Sequence, residues 1–296
     1  MKPLSPALTL ALALVASEAR AQPAATLRYR YVAGTTARYT TRTSQTMPGA
    51  LGTTVTTSTH DVETVRVLPD GSAEQRMRIA SMEMSGANIP AAVRDRVTAA
   101  MRGLVIEYTV DARGRVSARR TVGEVPADMR PVLESVLESL DQLGAALPEG
   151  AVARGGTWHD QRALHLAPGT TSLDMSVDTT YTLRQLRGVG PAQVAVLGVA
   201  MTIATPPGMA VRGVRMSGTG SAAGESVLEL GRGRVGRAQT TGSMRIQVST
   251  GARNLDLNTR FEHLMTLRAP AAATRPTRPA APGRPGAPAR PATAPR

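Results

Sequence analysis

Arg113-Gly114-Arg115-Val116 returns as Arg232-Gly233-Arg234-Val235, 119 positions later, and this recurrence decides how the chain is read. The same offset pairs Gly71 with Gly190, Ala73 with Ala192, Met82 with Met201, Thr121 with Thr240 and Gly123 with Gly242. A slightly larger offset of 121 pairs Gly34 with Gly155 and Thr36 with Thr157. Repeats fix architecture before motifs do, and a candidate site in one copy can be tested against the other. The expected fold is therefore α+β, mainly antiparallel β, with two related curved-sheet halves and an interposed amphipathic helix.

Working outward from the repeat, each half reads as hairpins. Leu27-Arg28-Tyr29-Arg30-Tyr31, Tyr39 to Thr43 and Thr53 to Val67 alternate or are β-branched, which is strand patterning. Val67-Leu68-Pro69-Asp70-Gly71-Ser72 is a turn into the next strand, Ala73 to Ile79, since Pro presets one corner and Gly accepts a positive φ at the next. A second hairpin, Val105 to Arg119, turns on Asp111-Ala112-Arg113-Gly114. In the other half, Ser172 to Leu186 and Ala192 to Ile203 flank Gly188-Val189-Gly190. Glu225 to Arg237 and Ser243 to Val248 mirror the second hairpin, and Asn254 to Leu267 is a last strand.

Two helices are expected. Pro90 to Met101 has Asn88 available as a cap and Val93, Val97 and Met101 on one face. Met129 to Leu143 places Met129, Val132, Leu133, Val136, Leu137, Leu140 and Leu143 on one stripe. Asp128 caps it, Pro131 sits harmlessly in its first turn and Gly144 ends it. Such a helix either packs over a sheet or lids a cavity between two curved sheets.

The chain of 296 residues is 42% hydrophobic and 19% charged, enough for a substantial core. Lys2, the uncharged stretch Ala7 to Ala16 and Ala19-Arg20-Ala21 read as an export signal, giving a signal peptide at 1–21 and a mature start near Gln22. The expected address is periplasmic or secreted. The apolar stretch is far below the roughly 20 residues that cross a bilayer, so no membrane span is expected. The chain has no cysteine, so folding rests on burial rather than on disulfides. The remaining boundaries follow composition: a β-rich first half at 22–125, a helix connector at 126–149, a β-rich second half at 150–268, and a disordered Pro/Ala/Arg tail at 269–296.

The net charge of +13 falls to +12 without residues 1–21, and five tail arginines hold +5 of that, leaving about +7 on the folded part. Lys2 is the only lysine, and with one Phe and one Trp there is little aromatic surface on which bases stack. Nucleic acid is therefore not an expected partner. The tail arginines offer weak, salt-sensitive contacts to an anionic envelope component.

Gly34-Thr35-Thr36-Ala37-Arg38-Tyr39, Asp70-Gly71-Ser72-Ala73 and Gly155-Gly156-Thr157-Trp158, with the Gly-Arg-Val hairpins and an interposed helix, carry a resemblance. Over most of residues 27 to 268 the chain resembles a bacterial family of exported β-rich proteins with a Lys-Gly-Asp-x-aromatic opening and a later Gly-Asp-x-Trp segment. Here Thr35 and Gly156 stand in place of the aspartates and Ala37 in place of the first aromatic. The resemblance implies export and an envelope role, and it carries no catalytic residue.

Candidate chemistry is sparse. Gly231-Arg232-Gly233-Arg234-Val235-Gly236 fits G-x-G-x-x-G, which binds a dinucleotide only between a strand and a helix; the other copy has Ala112, Gly114 and Ser117 there, so a hairpin turn is expected. Trp158-His159-Asp160 with His165 is the densest polar-aromatic cluster. In a straight strand the two histidines share a side but lie about 20 Å apart, too far for one metal. His60 and His263 are isolated in sequence, and no zinc motif is present. Gly218-Thr219-Gly220-Ser221-Ala222 lacks the last glycine of a nucleophile elbow. Glu134 and Glu138 lie off the apolar stripe, on a solvated face. No catalytic, cofactor-binding or metal residue is assigned. The reading is an exported non-enzymatic envelope protein of binding or structural type, or a carrier of a lipid or other apolar ligand between the two β halves; adaptable aliphatic and Met side chains suit the latter.

Overall fold

Burial alternates residue by residue along the strands, as the two-residue side-chain period of a one-faced antiparallel sheet requires: Ala73, Gln75, Met77 and Ile79 are buried while Arg76, Arg78 and Ala80 are exposed. The computed structural model describes residues 24–48, 52–86, 89–124, 130, 133, 134, 137, 140, 144–166, 173–205, 210–211, 214–250 and 253–268. In chain order the elements are β1 (Thr35–Met47), β2 (Gly52–Val67), β3 (Ala73–Gly86), α1 (Ala91–Met101), β4 (Val105–Val110), β5 (Val116–Val122), β6 (Thr157–Leu166), β7 (Leu173–Arg187), β8 (Val194–Ala204), β9 (Ala210–Val211), β10 (Val214–Glu229), β11 (Arg234–Thr250) and β12 (Arg253–Arg268).

The expectation of two sheet halves is corrected. One sheet runs β5-β4-β3-β2-β1-β12-β11-β10-β8-β7-β6, with the short β9 beside β10. Its seam is the antiparallel pairing of β1 with β12, from Arg38 opposite Arg268 to Thr46 opposite Arg260. Two separate sheets would have left a long row of unpaired N–H and C=O groups on each of these strands, and pairing them removes both edges at once.

The sheet is strongly curved. Buried residues of β1, β7, β8, β10, β11 and β12 meet in one cluster around Leu27, Tyr29, Ala145, Leu147 and Val152. Strands about 4.8 Å apart in a flat sheet would spread these residues over some 24 Å. Glycine permits a close backbone approach between β10 and β11. A Cβ on Gly224 would lie 1.9 Å from the Gln239 carbonyl oxygen, and one on Gly242 would lie 2.5 Å from the Ser221 carbonyl oxygen and 2.7 Å from the Phe261 ring. The expected break before Ser243 does not occur: β11 runs unbroken from Arg234 to Thr250, with Gly242 at a position where a Cβ would clash.

Leu27–Tyr31 was expected as a strand and is not one. Its backbone bonds go to two hairpin ends: Tyr29 N–H donates to Ala112 O at 2.8 Å and Arg30 N–H to Leu230 O at 2.8 Å. Ala25 bridges Val152, so this segment and residues 144–152 fill the concave face together. The Gly71 and Gly114 turns form as read, with positive φ at both. In α1 the expected apolar face holds in part, with Met101 buried, Val97 half-buried and Val93 51% exposed, and the expected cap Asn88 lies outside the described residues. Of the longer helix, the described stripe residues Leu133 and Leu140 are buried and Leu137 is half-buried, while Arg130 and Glu134 are exposed. Asp128, Met129, Pro131, Val132, Val136, Glu138, Asp141 and Leu143 lie outside the described residues, as do 1–23 and 269–296 with the expected leader and tail.

On the convex face arginines face carboxylates across strands, Arg38 with Asp61 at 2.6 Å and Arg76 with Glu107 at 2.8 Å, and Arg66 with Glu74. Exposed pairs of this kind contribute little each, but they disperse the basic charge.

Replacing Gly242 by Val forces a branched side chain against Ser221, Ala222 and Phe261. The expected cost is about 3 kcal/mol, read as a lowered urea midpoint with the m-value unchanged.

Candidate functional site

The concave face is packed unequally. Around β7, β8 and β10 it is filled by Leu183, Leu197, Leu228 and Leu230, each at most 1% exposed. Between this cluster and a smaller one formed by Ala73, Met77, Ile106, Tyr108, Val110 and Leu140 lies a cavity of about 440 Å³.

Three rungs of the sheet build its wall. Thr35 lies opposite Thr64, Thr64 opposite Gln75, and Gln75 opposite Tyr108. Ala37 lies opposite Val62, and Tyr39 opposite His60. The far wall is Tyr29 and Tyr31 on the amino-terminal segment, with Gly114, Leu140 and Gly144 beside them and Arg232, Gly233, Arg234 and Val235 at the turn between β10 and β11. The exposed lining residues Val32, Thr35, Thr36 and Arg232 mark the mouth.

Four of the five tyrosines in the chain line this one space. Tyr29 and Tyr31 stack at 5.9 Å, and Tyr31 donates its hydroxyl to Asp111 O at 3.0 Å. Burial raises the pKa of Tyr29, Tyr31 and Tyr108, and pushes that of Tyr39 up to about 12, so all four are neutral hydrogen-bonding rings at physiological pH. Gly114 and Gly233 are both glycine for a spatial reason as well as a conformational one: a Cβ would lie 2.7 Å from the Tyr29 ring in the first and 2.6 Å from the Tyr31 ring in the second.

The polar side chains on the wall are few. Gln75 donates to Thr64 Oγ1 at 3.3 Å. His60 stacks on Tyr39 at 5.4 Å, is 5% exposed, and its Nε2 has no hydrogen-bond partner. Burial, reinforced by nearby His263 against an opposing pull from Asp61, lowers its pKa to about 4 and holds it neutral. His60 and His263, isolated in sequence, thus stand on the same concave wall on either side of β1, where His263 Nδ1 is 3.1 Å from Thr43 Oγ1.

The sequence candidates lie elsewhere. In β6, His159 and Asp160 point to opposite faces: His159 is exposed, 3.1 Å from Thr180 Oγ1 and 3.7 Å from Asp178, whereas half-buried Asp160 pairs with Arg162. Trp158 donates to Ala146 O at 2.6 Å and stacks on Tyr181 at 5.5 Å. The His165 side chain and Glu138 lie outside the described residues, and Glu134 is exposed. Gly231, Gly233 and Gly236 belong to a 3-10 turn followed by a strand, not a helix. Gly218 to Ala222 lies within β10. Among the described residues, no group of His, Asp and Glu is placed to hold a metal ion, and no helix is long and apolar enough to cross a membrane. The low overall aromatic content conceals the tyrosines, which are few in the chain but concentrated around one space. Alternation at Tyr29 and Tyr31 was the available signal.

No family model and no curated protein matches the chain. Among solved structures, it is similar to a lipovitellin described for its lipid–protein interactions, at 11% identity and a TM-score of 0.48, over 82% of this chain and 26% of that one. The chain thus spans about a quarter of the lipovitellin's length. A mutant porin of Rh. blastica gives 10% identity and a TM-score of 0.22 over 79% of this chain and 99% of the porin.

His60 makes stability depend on pH. A histidine whose folded pKa lies below 6.5 is protonated first in the unfolded chain, so stability is complete above pH 6.5 and falls as pH drops toward about 4, by roughly 3 kcal/mol. The variant His60→Phe is expected to flatten most of this slope in urea midpoints measured from pH 7 to pH 4.

Proposed function

We propose that the protein is an exported, non-enzymatic binding protein that carries an apolar small molecule on the concave side of its sheet. The observation that carries this reading is a difference between the two sequence copies, which we infer to be related strand runs joined in one sheet. Gly34 N–H donates to Thr64 O at 2.8 Å, and Gly155 N–H donates to Leu183 O at 2.7 Å. Ala37 faces Val62 across β1 and β2 as Trp158 faces Tyr181 across β6 and β7. These pairs follow the offsets of 121 and 119 seen in sequence.

At matched positions, then, one copy has Trp158, Tyr181 and Leu183 and the other has Ala37, Val62 and Thr64. The large set fills its interior. The small set lines the cavity. Interiors are otherwise packed to crystal density, and unfilled space costs stability in proportion to its volume. A cavity of about 440 Å³ falls in the range that small-molecule sites occupy. Its rings and aliphatic side chains suit an apolar body, and His60, Gln75 and Thr64 supply sparse polar contacts.

The cavity can be filled from the protein's own other copy. The double variant Ala37→Trp, Val62→Tyr is expected to remain folded and to lose uptake of N-phenyl-1-naphthylamine, followed by fluorescence, while the parent protein binds the dye. Native mass spectrometry of protein from its own host should show a co-purifying small molecule on the parent and none on the variant. A parent that takes up neither dye nor ligand, or a filled variant that binds as the parent does, rejects the reading.

A further inference from the structure

Resting on that reading, we propose that the molecule held is an amphiphilic organic acid, with its apolar body among the tyrosines and its anionic end at Arg232 and Arg234. The depth of the cavity cannot hold a charge. Tyr29, Tyr39 and Tyr108 are at most 6% exposed, and the His60 imidazole that lines the cavity is kept neutral by the same burial. An ion without a partner does not survive in such surroundings, so any charge on the ligand must stay at the mouth.

The mouth is cationic. Arg232 and Arg234 flank Gly233, and both lean on a single carboxylate, Glu229: Arg234 Nε lies 2.7 Å from Oε2, while Arg232 Nη1 lies 3.6 Å away. Two guanidinium groups over one carboxylate leave a net positive charge, and at 3.6 Å Arg232 keeps its N–H donors for another acceptor. The Asp111 carboxylate is turned to its own hairpin, where Oδ1 accepts from the backbone N–H groups of Arg113 and Arg115 at 2.8 and 2.9 Å, and it is not among the residues that line the cavity. Gly233 ties the cations to the cage, because its backbone packs where a Cβ would lie 2.6 Å from the Tyr31 ring.

The other copy shows what a structural arginine looks like at this turn. Arg113 donates to Leu147 O at 2.9 Å and to Glu149 at 2.7 Å, and is spent on holding residues 147–149. Arg232 has no such duty: its side chain is 60% exposed and borders the cavity. A planar guanidinium with free donors beside an apolar pocket is the chemistry that receives a carboxylate, sulfonate or phosphate.

Two dyes with one aromatic body separate the charge from the cavity. N-phenyl-1-naphthylamine is neutral, and 1-anilinonaphthalene-8-sulfonate adds an anion. The full-length protein is expected to bind the sulfonate about tenfold more tightly than the neutral dye, an advantage that shrinks in high salt. Arg232→Gln with Arg234→Gln should bring the sulfonate down to the neutral dye's affinity and leave the neutral dye unchanged. Because Arg232 is exposed, Arg232→Gln alone is the safeguard against a folding defect, and it should show part of the loss. Equal binding of the two dyes, or sulfonate binding unaffected by either variant, overturns the anionic assignment while the cavity reading stands. If neither dye binds the parent protein, both fall.

Discussion

The pairing of β1 with β12 is the contact on which the rest of the molecule depends. It joins strands near opposite ends of the described chain, turning two runs of local hairpins into one continuous sheet. Every other seam of the sheet lies between strands that follow each other along the chain, apart from the place where β9 is bypassed between β8 and β10. The entropic cost of closing so long a loop is met by the row of ladder bonds and by Met265, Tyr39 and Ala37 packing inside the curve. Once the seam forms, the concave face becomes an enclosure rather than two shallow surfaces.

What fills that enclosure is the segment from Leu27 to Tyr31, and its position is set by the hairpin ends of both copies. Ala112 and Leu230 lie on the two equivalent turns, and each accepts one of its backbone N–H groups. Glycine at 114 and 233 gives the tyrosine rings room to lie against those turns. The same clasp that stabilises the amino-terminal segment therefore places Tyr29 and Tyr31 opposite Tyr39, His60 and Tyr108. The tyrosines and glycines that seat the segment also line the cavity.

The two sequence copies differ at matched positions in side-chain volume while their strand pairing is the same. A hydrophobic core needs its volume filled, and Trp158, Tyr181 and Leu183 fill it on one side of the sheet. Smaller side chains at Ala37, Val62 and Thr64 leave the backbone pairing intact while opening space. The turn arginines diverge in the same sense, Arg113 bonded to the chain and Arg232 largely exposed beside the cavity.

The sequence by itself determined most of the local order of the molecule: the strand runs other than Leu27–Tyr31, the turns at Gly71, Gly114, Gly190 and Gly233, and the reading of the glycine-rich stretch as a turn. These follow from backbone rules that act over a few residues, and the 119-residue recurrence reinforced them. Whether two runs of strands close separately or share one sheet depends on a pairing between β1 and β12 that no local pattern encodes, so the expected halves became a continuous sheet. The cavity was hidden for a related reason. Val62, Thr64 and Tyr108 belong to no motif, Ala37 and Arg232 read only as parts of an opening and a turn, and the five meet only because the curve of the sheet and the returning amino-terminal segment bring distant rungs to face one another. Tertiary structure alone decided which aromatic rings line the cavity and which are packed shut.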